Sequence, residues 1–417
     1  MSSYHSRVSE SELQSLMSVT GAVLIEGPKA CGKTTTATRL AKTRFDMDED
    51  STAKASVELN PDFLFNNPTP ILFDEWQVVP DVWNRVRRAV DARSGQRGLY
   101  ILTGSSTPRD NVNRHSGAGR FSVLQMRTMS LFETHHSTGD VSFKALMDGE
   151  TCKGSGNHMN VPELMERIVI GGWPHLLGQD ETTARKWLAG YIKQAIEVDI
   201  PSFVGHRDPN TLGRVLESLA RFVAHSPALT SIAADAGGAG GPLNTGTLRS
   251  HLDALQRLHL LDNSLAWQPH MRSRTRLRAA PTRYFVDPSL ATAALRASSK
   301  DLLNDLNTAG YHFEALVIRD LRIYSQPLDG RVDTWRDSEG NEVDAVVTLD
   351  DGRWAAFEVK MSQNDVDKAA ATLLRFASRV DWARHGEPAA LAVITPSGPA
   401  GRRKDGVHVL PITSLAP

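Results

Sequence analysis

At 417 residues, with 40% hydrophobic and 23% charged side chains, the chain exceeds one hydrophobic core and has the make-up of a globular protein of two or three domains. A formal net charge of −1 excludes a uniformly basic nucleic-acid binder and leaves only local patches for such contacts. No apolar run spans a bilayer and the polar start Met1-Ser-Ser-Tyr-His-Ser-Arg7 lacks a secretory core, so a cytoplasmic protein without a membrane partner is expected.

The first elements form a phosphate-cradling pattern. Ala22-Val-Leu-Ile25 reads as a strand, and Thr35-Thr-Ala-Thr-Arg-Leu-Ala41 reads as a helix. Between them Gly27, Pro28, Lys29, Ala30, Cys31, Gly32, Lys33 and Thr34 fit G-x-x-x-x-G-K-[ST]. In such a loop the backbone N–H groups wrap a polyphosphate, Lys33 reaches its β/γ-phosphates and the Thr34 hydroxyl ligates Mg²⁺, with Thr35 opening the helix beside them. The two cysteines, Cys31 in this loop and Cys152 in a polar stretch, point to neither a disulfide framework nor a zinc cluster.

Pro70-Ile-Leu-Phe-Asp74-Glu75 is an apolar strand ending in two carboxylates. Asp74 suits the Mg²⁺ shell, and Glu75 suits the orientation of an attacking water. A third strand, Leu99–Thr103, runs into Gly104-Ser105-Ser106, which places Ser105 where open α/β sheets bind ligands. Ser105 is read as a γ-phosphate sensor or as a helix cap. Arg114 and Arg120 are the candidates for an arginine finger, a cation that steadies transition-state charge and can act in trans.

Thr134 to Asn160, rich in His, Ser, Gly and Thr, reads as a linker. From Val161 to Ala224 apolar residues recur at three and four positions, predicting helices with one buried face. Leu229–Asp235 and Thr245–Leu258 then read as two helices joined by a glycine turn and followed by strands, a winged helix-turn-helix pattern. In the wing, Arg272, Arg274, Arg276 and Arg278 occupy alternate positions, so an extended strand would put four guanidinium groups on one face. Such a row suits phosphate contacts on DNA, the reading that the adjacent helix-turn-helix pattern favours over a charge-protected edge strand or pairing with acids of the neighbouring domain.

The last hundred residues read helix (Tyr311–Arg322), three strands (Val332–Arg336, Glu342–Thr348, Trp354–Lys360), helix (Val366–Ala377) and strand (Ala390–Ile394). Glu358 and Lys360 share a strand face, Asp344 lies on the neighbouring hairpin strand and Glu314 approaches from the helix. Hard oxygen donors on Asp344 and Glu358 suit Mg²⁺ or Mn²⁺, and Lys360 would stabilise an anionic centre.

Taken together, these motifs make the chain resemble prokaryotic AAA-type P-loop ATPases whose carboxyl half is a domain of unknown function containing a PD-(D/E)xK nuclease-like fold. Further motifs carry the likeness: Leu102-Thr-Gly-Ser-Ser106, Gly119-Arg-Phe121, Met129-Ser-Leu-Phe-Glu133, Gly171-Gly-Trp-Pro174, Tyr191 to Ile200 and Phe285-Val-Asp-Pro288. The resemblance implies an α/β fold in three parts: a P-loop AAA-type parallel sheet over 1–150, a helical and winged-helix region over 151–295, and a PD-(D/E)xK-like α/β domain over 296–417. It implies ATP binding; the motifs themselves lead us to expect Mg²⁺ as the second cofactor, hydrolysis of ATP, contact with DNA and, if the finger works in trans, a homo-oligomeric dimer or ring. Three readings stay open: an ATPase with a metal-dependent nuclease using Glu314, Asp344, Glu358 and Lys360, a nucleotide-gated DNA- or protein-binding module whose nuclease-like part is idle, and an ATPase directed at proteins.

Overall fold

The computed structural model describes residues 4–104, 116–154, 159–201, 208–268, 280–337 and 339–417. Near the amino terminus, helix α1 (Ser9–Val19) precedes five parallel strands: β1 (Ala22–Glu26), β2 (Thr43–Asp46), β3 (Ile71–Asp74), β4 (Tyr100–Gly104) and β5 (Phe121–Gln125), in sheet order β2-β3-β4-β1-β5. Strands β1, β3 and β4 are continuous apolar runs because helices cover both faces of the sheet. Helix α2 (Lys33–Leu40) carries Ala37 into one face beside Leu13 of α1; α3 (Ser51–Leu59), α4 (Asp62–Phe65) and α5 (Asp81–Ala92) close the other around Phe73, Trp83 and Tyr100. This order brings the carboxyl ends of β1, β3 and β4 to one crevice, the place where such sheets take ligands. Ser105 and Arg114 lie outside the described residues.

In its described residues, 134–154, 159 and 160, the stretch expected to be a linker is structured. Its strand β6 (Val141–Ser142) pairs in parallel with β13 (Leu415–Ala416), and the short helix α6 (Phe143–Met147) buries Phe143, Leu146 and Met147 in the carboxyl core, with Phe143 stacked on Phe357 at 6.1 Å. Four apolar residues in seven positions do this; the polar residues around them dominate the composition and conceal it.

Helices α7 (Val161–Ile170), α8 (Glu181–Gln194), α9 (Pro209–Arg221), α10 (Leu229–Ala236) and α11 (Thr245–Arg257) share a second core around Trp173, Leu188, Leu216, Ile232 and Leu252. Helix α8 runs into a π-helical turn, Ala195–Asp199. After α11 the chain forms a ribbon, with antiparallel bridges Leu261↔Phe285 and Ser264↔Thr282. The four alternating arginines, Arg272 to Arg278, lie outside the described residues.

Helices α12 (Pro288–Ala294), α13 (Ser299–Asn304) and the long α14 (Leu306–Ser325) lead into a six-stranded sheet. Its strands β7 (Arg331–Arg336), β8 (Glu342–Thr348), β9 (Trp354–Val359), β10 (Ala390–Thr395), β11 (Gly401–Arg402) and β12 (His408–Pro411) lie in the order β11-β12-β10-β9-β8-β7. Antiparallel pairing joins β7, β8 and β9, and parallel pairing joins β9, β10 and β12. Helices α14 and α6 cover one face and α15 (Val366–Arg379) the other. The ribbon covers the β7 edge, where the Trp267 N–H donates to Thr334 O at 2.6 Å and the Trp267 ring lies against Trp354 and Phe376.

Buried charges lock these parts together. Asp287 accepts from Thr128 Oγ1 (2.6 Å), the Gly172 N–H (3.0 Å), Arg319 (3.1 Å) and the Ser289 hydroxyl (2.6 Å). Arg319 also grips Asp320, whose other oxygen accepts the Leu131 N–H at 2.9 Å. Glu133 holds Arg7 at 2.9 Å and the Val8 N–H at 2.8 Å. Gly172 has to be glycine here, because a Cβ would lie 2.0 Å from Met129 O. The glycine-tryptophan, Phe285-Val-Asp287 and Met129 to Glu133 motifs thus form the junction between the parts. Among the described residues no helix is long and apolar enough to cross a membrane.

Candidate functional site

The phosphate loop leaves β1 and enters α2 against the segment that follows β5. A Cβ on Gly27 would stand 2.2 Å from Met126 O, so only glycine permits that approach. Lys33 is 5% exposed and folds back on the loop, its ammonium donating to Gly27 O (2.9 Å) and Pro28 O (2.8 Å). These two carbonyls satisfy a buried charge, and phosphate oxygens at the same mouth are the stronger acceptors. Arg7 Nη1 braces the loop from behind by donating to Cys31 O at 2.7 Å.

Thr34 and Asp74, forty residues apart, meet at 2.8 Å, the Thr34 hydroxyl donating to Asp74 Oδ1, which also accepts from Thr103. A hydroxyl and a carboxylate side by side beside the loop lysine fit the donor set for Mg²⁺ with its waters. Arg44 on β2 pairs with the second oxygen of Asp74 at 2.8 Å and with Asp46 at 3.0 Å. Glu75 follows in the left-handed region (φ 51°), a conformation that only surrounding structure sustains, and its carboxylate accepts from Gln77.

A cavity of 760 Å³ opens over Lys29, Gly32, Lys33, Thr34, Thr35 and Glu75. Its far wall comes from the helical region: Pro174, His175, Asp199 and Leu258. Lys29 Nζ meets Asp199 at 2.7 Å across it, and the Tyr191 hydroxyl donates to Lys29 O at 3.3 Å. His259, next to Leu258, has a buried Nε2 without a hydrogen-bond partner; burial, then the charge on Lys33, pushes its pKa down to about 4. Arg7, Arg44, Asp199 and His259 were not picked out by the sequence pattern. Of these only Asp199 carried a signal, at the end of the Tyr191 to Ile200 stretch.

Arg120 sits elsewhere. Its carbonyl accepts the Ala22 N–H at the start of β1 and its guanidinium pairs with Asp91 at 2.9 Å. The phosphate loop leaves the opposite end of that strand, roughly 16 Å away at 3.3 Å per residue. Arg120 therefore does not face the phosphate loop of its own chain.

The second cluster lies on the carboxyl sheet. Ala345 on β8 pairs with Phe357 on β9, which makes Asp344 and Glu358 the next neighbours along the ladder. Asp344 Oδ2 accepts the Val359 N–H at 2.7 Å, and the Lys360 ammonium lies between the acids, 2.6 Å from Glu358 and 3.5 Å from Asp344. From α14, Glu314 approaches the same cluster and accepts a hydrogen bond from Tyr284. Burial, then repulsion from Asp344, pushes Glu314 well above the carboxylate range, and the same two causes take Glu358 to about 8. Burial opposes the charge on Lys360, but Asp344 and Glu358 outweigh it and raise its pKa.

The four residues expected to converge are therefore brought together. Among the described residues, however, no three His, Cys, Asp or Glu side chains are arranged to hold a metal ion. Asp344 and Glu358 supply two carboxylates, the number with which Mg²⁺ is often bound, and Glu358 Oε1 is buried without a partner. Hard oxygens with one acceptor unused fit such an ion in its minimal form.

Comparison with known proteins divides the chain as its architecture does. Residues 20–135 match the model of an AAA domain, residues 161–301 a domain of unknown function (DUF8612) and residues 309–415 another (DUF4143). Among solved structures, the Walker-type ATPase of Pyrococcus abyssi is similar at 13% identity, covering 70% of this chain and 96% of that one with a TM-score of 0.41. The ORC2 protein of Aeropyrum pernix, solved as ADPNP and ADP complexes, is similar at 14% identity over 61% of this chain and 86% of that one, with a TM-score of 0.29. No curated protein matches the chain. The stretch that resembles an AAA domain, residues 20–135, is the one that holds the phosphate loop and its parallel sheet.

Proposed function

We propose that the protein is an ATP-hydrolysing machine that works on DNA. The observation that carries the ATP reading is the meeting of Thr34 with Asp74 beside Lys33, at the mouth of a cavity walled by a second part of the chain. Backbone N–H groups from Gly27 to Thr35 would cradle the phosphates, with Lys33 turning from Gly27 O and Pro28 O to the β/γ-oxygens. Mg²⁺, held through Thr34 and Asp74, would neutralise charge on those oxygens. Glu75, released from Gln77, would orient the attacking water. Arg120 can serve as a finger only in trans, which makes a dimer or ring part of this reading; Ser105 and Arg114 remain candidates beside it.

The carboxyl unit is read as a PD-(D/E)xK-like domain in which Asp344 and Glu358 hold a divalent ion and Lys360 and Glu314 complete the site. The helical region with its ribbon is read as a winged helix, with Arg272, Arg274, Arg276 and Arg278 on DNA phosphates. The three units are taken as 1–150, 151–295 and 296–417, with 141–154 folded onto the third.

A second reading, an idle carboxyl platform in a nucleotide-gated binding module, is favoured by one observation: Lys360 pairs with both acids and, among the described residues, no three His, Cys, Asp or Glu side chains are arranged to hold a metal ion. Two experiments separate these readings. Lys33→Ala should abolish ATP turnover with the fold intact, and normal turnover would refute the ATP assignment. Plasmid and single-stranded DNA with Mg²⁺ or Mn²⁺, wild type beside Asp344→Ala, should show cleavage lost in the variant; binding without cutting in both supports the platform.

A further inference from the structure

We infer that the cavity beside the carboxylate cluster takes one unpaired nucleotide of a DNA strand, its base stacked on Tyr311 and its phosphate turned toward Asp344. This rests on the reading of Asp344, Glu358 and Lys360 as a phosphodiester site, and it names the substrate of that site as single-stranded.

The cavity measures 370 Å³ and is walled by His225 and Thr282 from the helical region and by Tyr311, Glu314, Trp335 and Asp344 from the carboxyl unit. That volume lies at the small end of ligand pockets and suits one nucleotide. A duplex cannot enter it; only a base already out of its stack can.

Its wall has the chemistry of a stacking platform. Tyr311 is 39% exposed, in a part of α14 that otherwise faces the core. Its ring meets His225 edge-on at 4.4 Å, and the His225 ring is itself fixed by Nδ1 lying 2.8 Å from Val223 O. An exposed aromatic held rigid at a cavity mouth is the device by which strand-binding proteins stack bases without reading sequence. Ser226, Thr282 and Thr334 add a row of hydroxyls, each 2.9 Å from the next, which offer donors and acceptors to a sugar or a base edge.

The spacing also fits. Tyr311 and Glu314 are three apart on one helix, so their Cβ atoms lie roughly 5–6 Å apart and the platform and Glu314 line the same cavity. A bare phosphate would be repelled by Glu342 and Asp344, which makes binding depend on a divalent cation. Glu358 is 3% exposed with Oε1 unpartnered, an acceptor with capacity for that cation.

The test is fluorescence anisotropy on the full chain with a labelled 20-nucleotide single strand and its duplex, Ca²⁺ replacing Mg²⁺ so that the strand is not consumed. With the cation the single strand should bind at least tenfold more tightly than the duplex, and without it that surplus should vanish, leaving the binding that the arginine row gives to both. Tyr311→Ala should weaken that binding by roughly 5- to 100-fold, the worth of one stacked base, while Tyr311→Phe keeps it. Equal affinity for strand and duplex, or an unchanged Tyr311→Ala, overturns the inference. Asp344→Ala tells the two failures apart. If it removes the cation dependence while Tyr311→Ala does nothing, the phosphodiester reading stands and the nucleotide pocket falls; if cation dependence survives in Asp344→Ala, both fall.

Discussion

Tyr284, on the returning arm of the ribbon, donates its phenolic hydrogen bond to Glu314 on α14. The contact ends a continuous line of polar groups. Arg127, just past β5, holds Asp262 at 2.6 Å; Arg322 reaches Asp262 O at 2.5 Å and Ser264 Oγ at 2.6 Å, and lies 5.4 Å over the Tyr284 ring. The ribbon therefore touches both the phosphate-loop unit and the carboxylate cluster. Tyr284→Phe leaves a half-buried Glu314 oxygen without its donor, which costs about 1 kcal/mol. Urea unfolding should show the midpoint fall, and an unchanged midpoint would mean that Glu314 finds another donor.

Asp287 is the acceptor on which four partners converge at the junction. Asp287→Ala takes from buried Arg319 one of its two carboxylates and leaves the Thr128, Gly172 and Ser289 donors without their acceptor, and breaking such a buried pair typically costs about 3–5 kcal/mol. Thermal melts should register this as one of the largest losses for any single change in the protein. A shift no larger than that of an exposed aspartate would show that Asp320 alone suffices for Arg319.

Acid should weaken the contact between Arg127 and the ribbon. Burial alone would raise the pKa of Asp262, yet Arg127 and Arg322 outweigh it and hold the group at about 2. A carboxylate depressed in this way adds stability above its unfolded value near 4, and that stability is lost as pH falls from there towards 2. The amount is about 2 kcal/mol. Melting temperatures of wild type and Asp262→Asn, compared from pH 5 down to pH 2.5, should converge as the pH falls. A constant gap would contradict the assignment.

Lys29 and Asp199 form a half-exposed pair across the mouth of the phosphate cavity. Such pairs contribute about 0–1 kcal/mol, so Asp199→Asn should barely move the melting temperature. It removes a negative charge from the wall that faces the triphosphate and frees Lys29. Titration with a fluorescent ATP analogue should show binding tightened several-fold at low ionic strength, with the gain shrinking as salt screens it. Unaltered affinity at low salt would place Asp199 outside the reach of the nucleotide.

What the sequence disclosed follows from how local each signal is. Residues 27 to 34 are contiguous, and the phosphate loop could be read from them alone. Asp74, Asp344, Glu358 and Lys360 end or border apolar strands, so period and turn signals placed them. Arg7, Arg44, Asp199 and His259 come to the phosphate loop, to Asp74 or to the cavity wall only through tertiary approach; Asp199 is 170 residues from Lys29, and no period reveals that. Arg120 shows the same limit from the other side. Its motif suggested a finger, but whether it faces the crevice depends on β5 lying parallel beside β1, an order that no local pattern encodes. Helix α6 escaped notice because its three large apolar residues sit in a polar neighbourhood and acquire meaning only against the carboxyl core around Phe357.

The pairing of β6 with β13 has a bearing on how the protein is made. Val141 leaves the ribosome long before Leu415, and at cellular rates of elongation the interval is roughly 15–50 s. The sheet built from residues 22–125 can close during that interval, whereas Phe143, Leu146 and Met147 have no bed to lie in. For most of its synthesis the nascent chain carries a greasy, unclaimed patch directly behind a finished nucleotide-binding module, which makes this point in translation the natural moment for a chaperone to attend it.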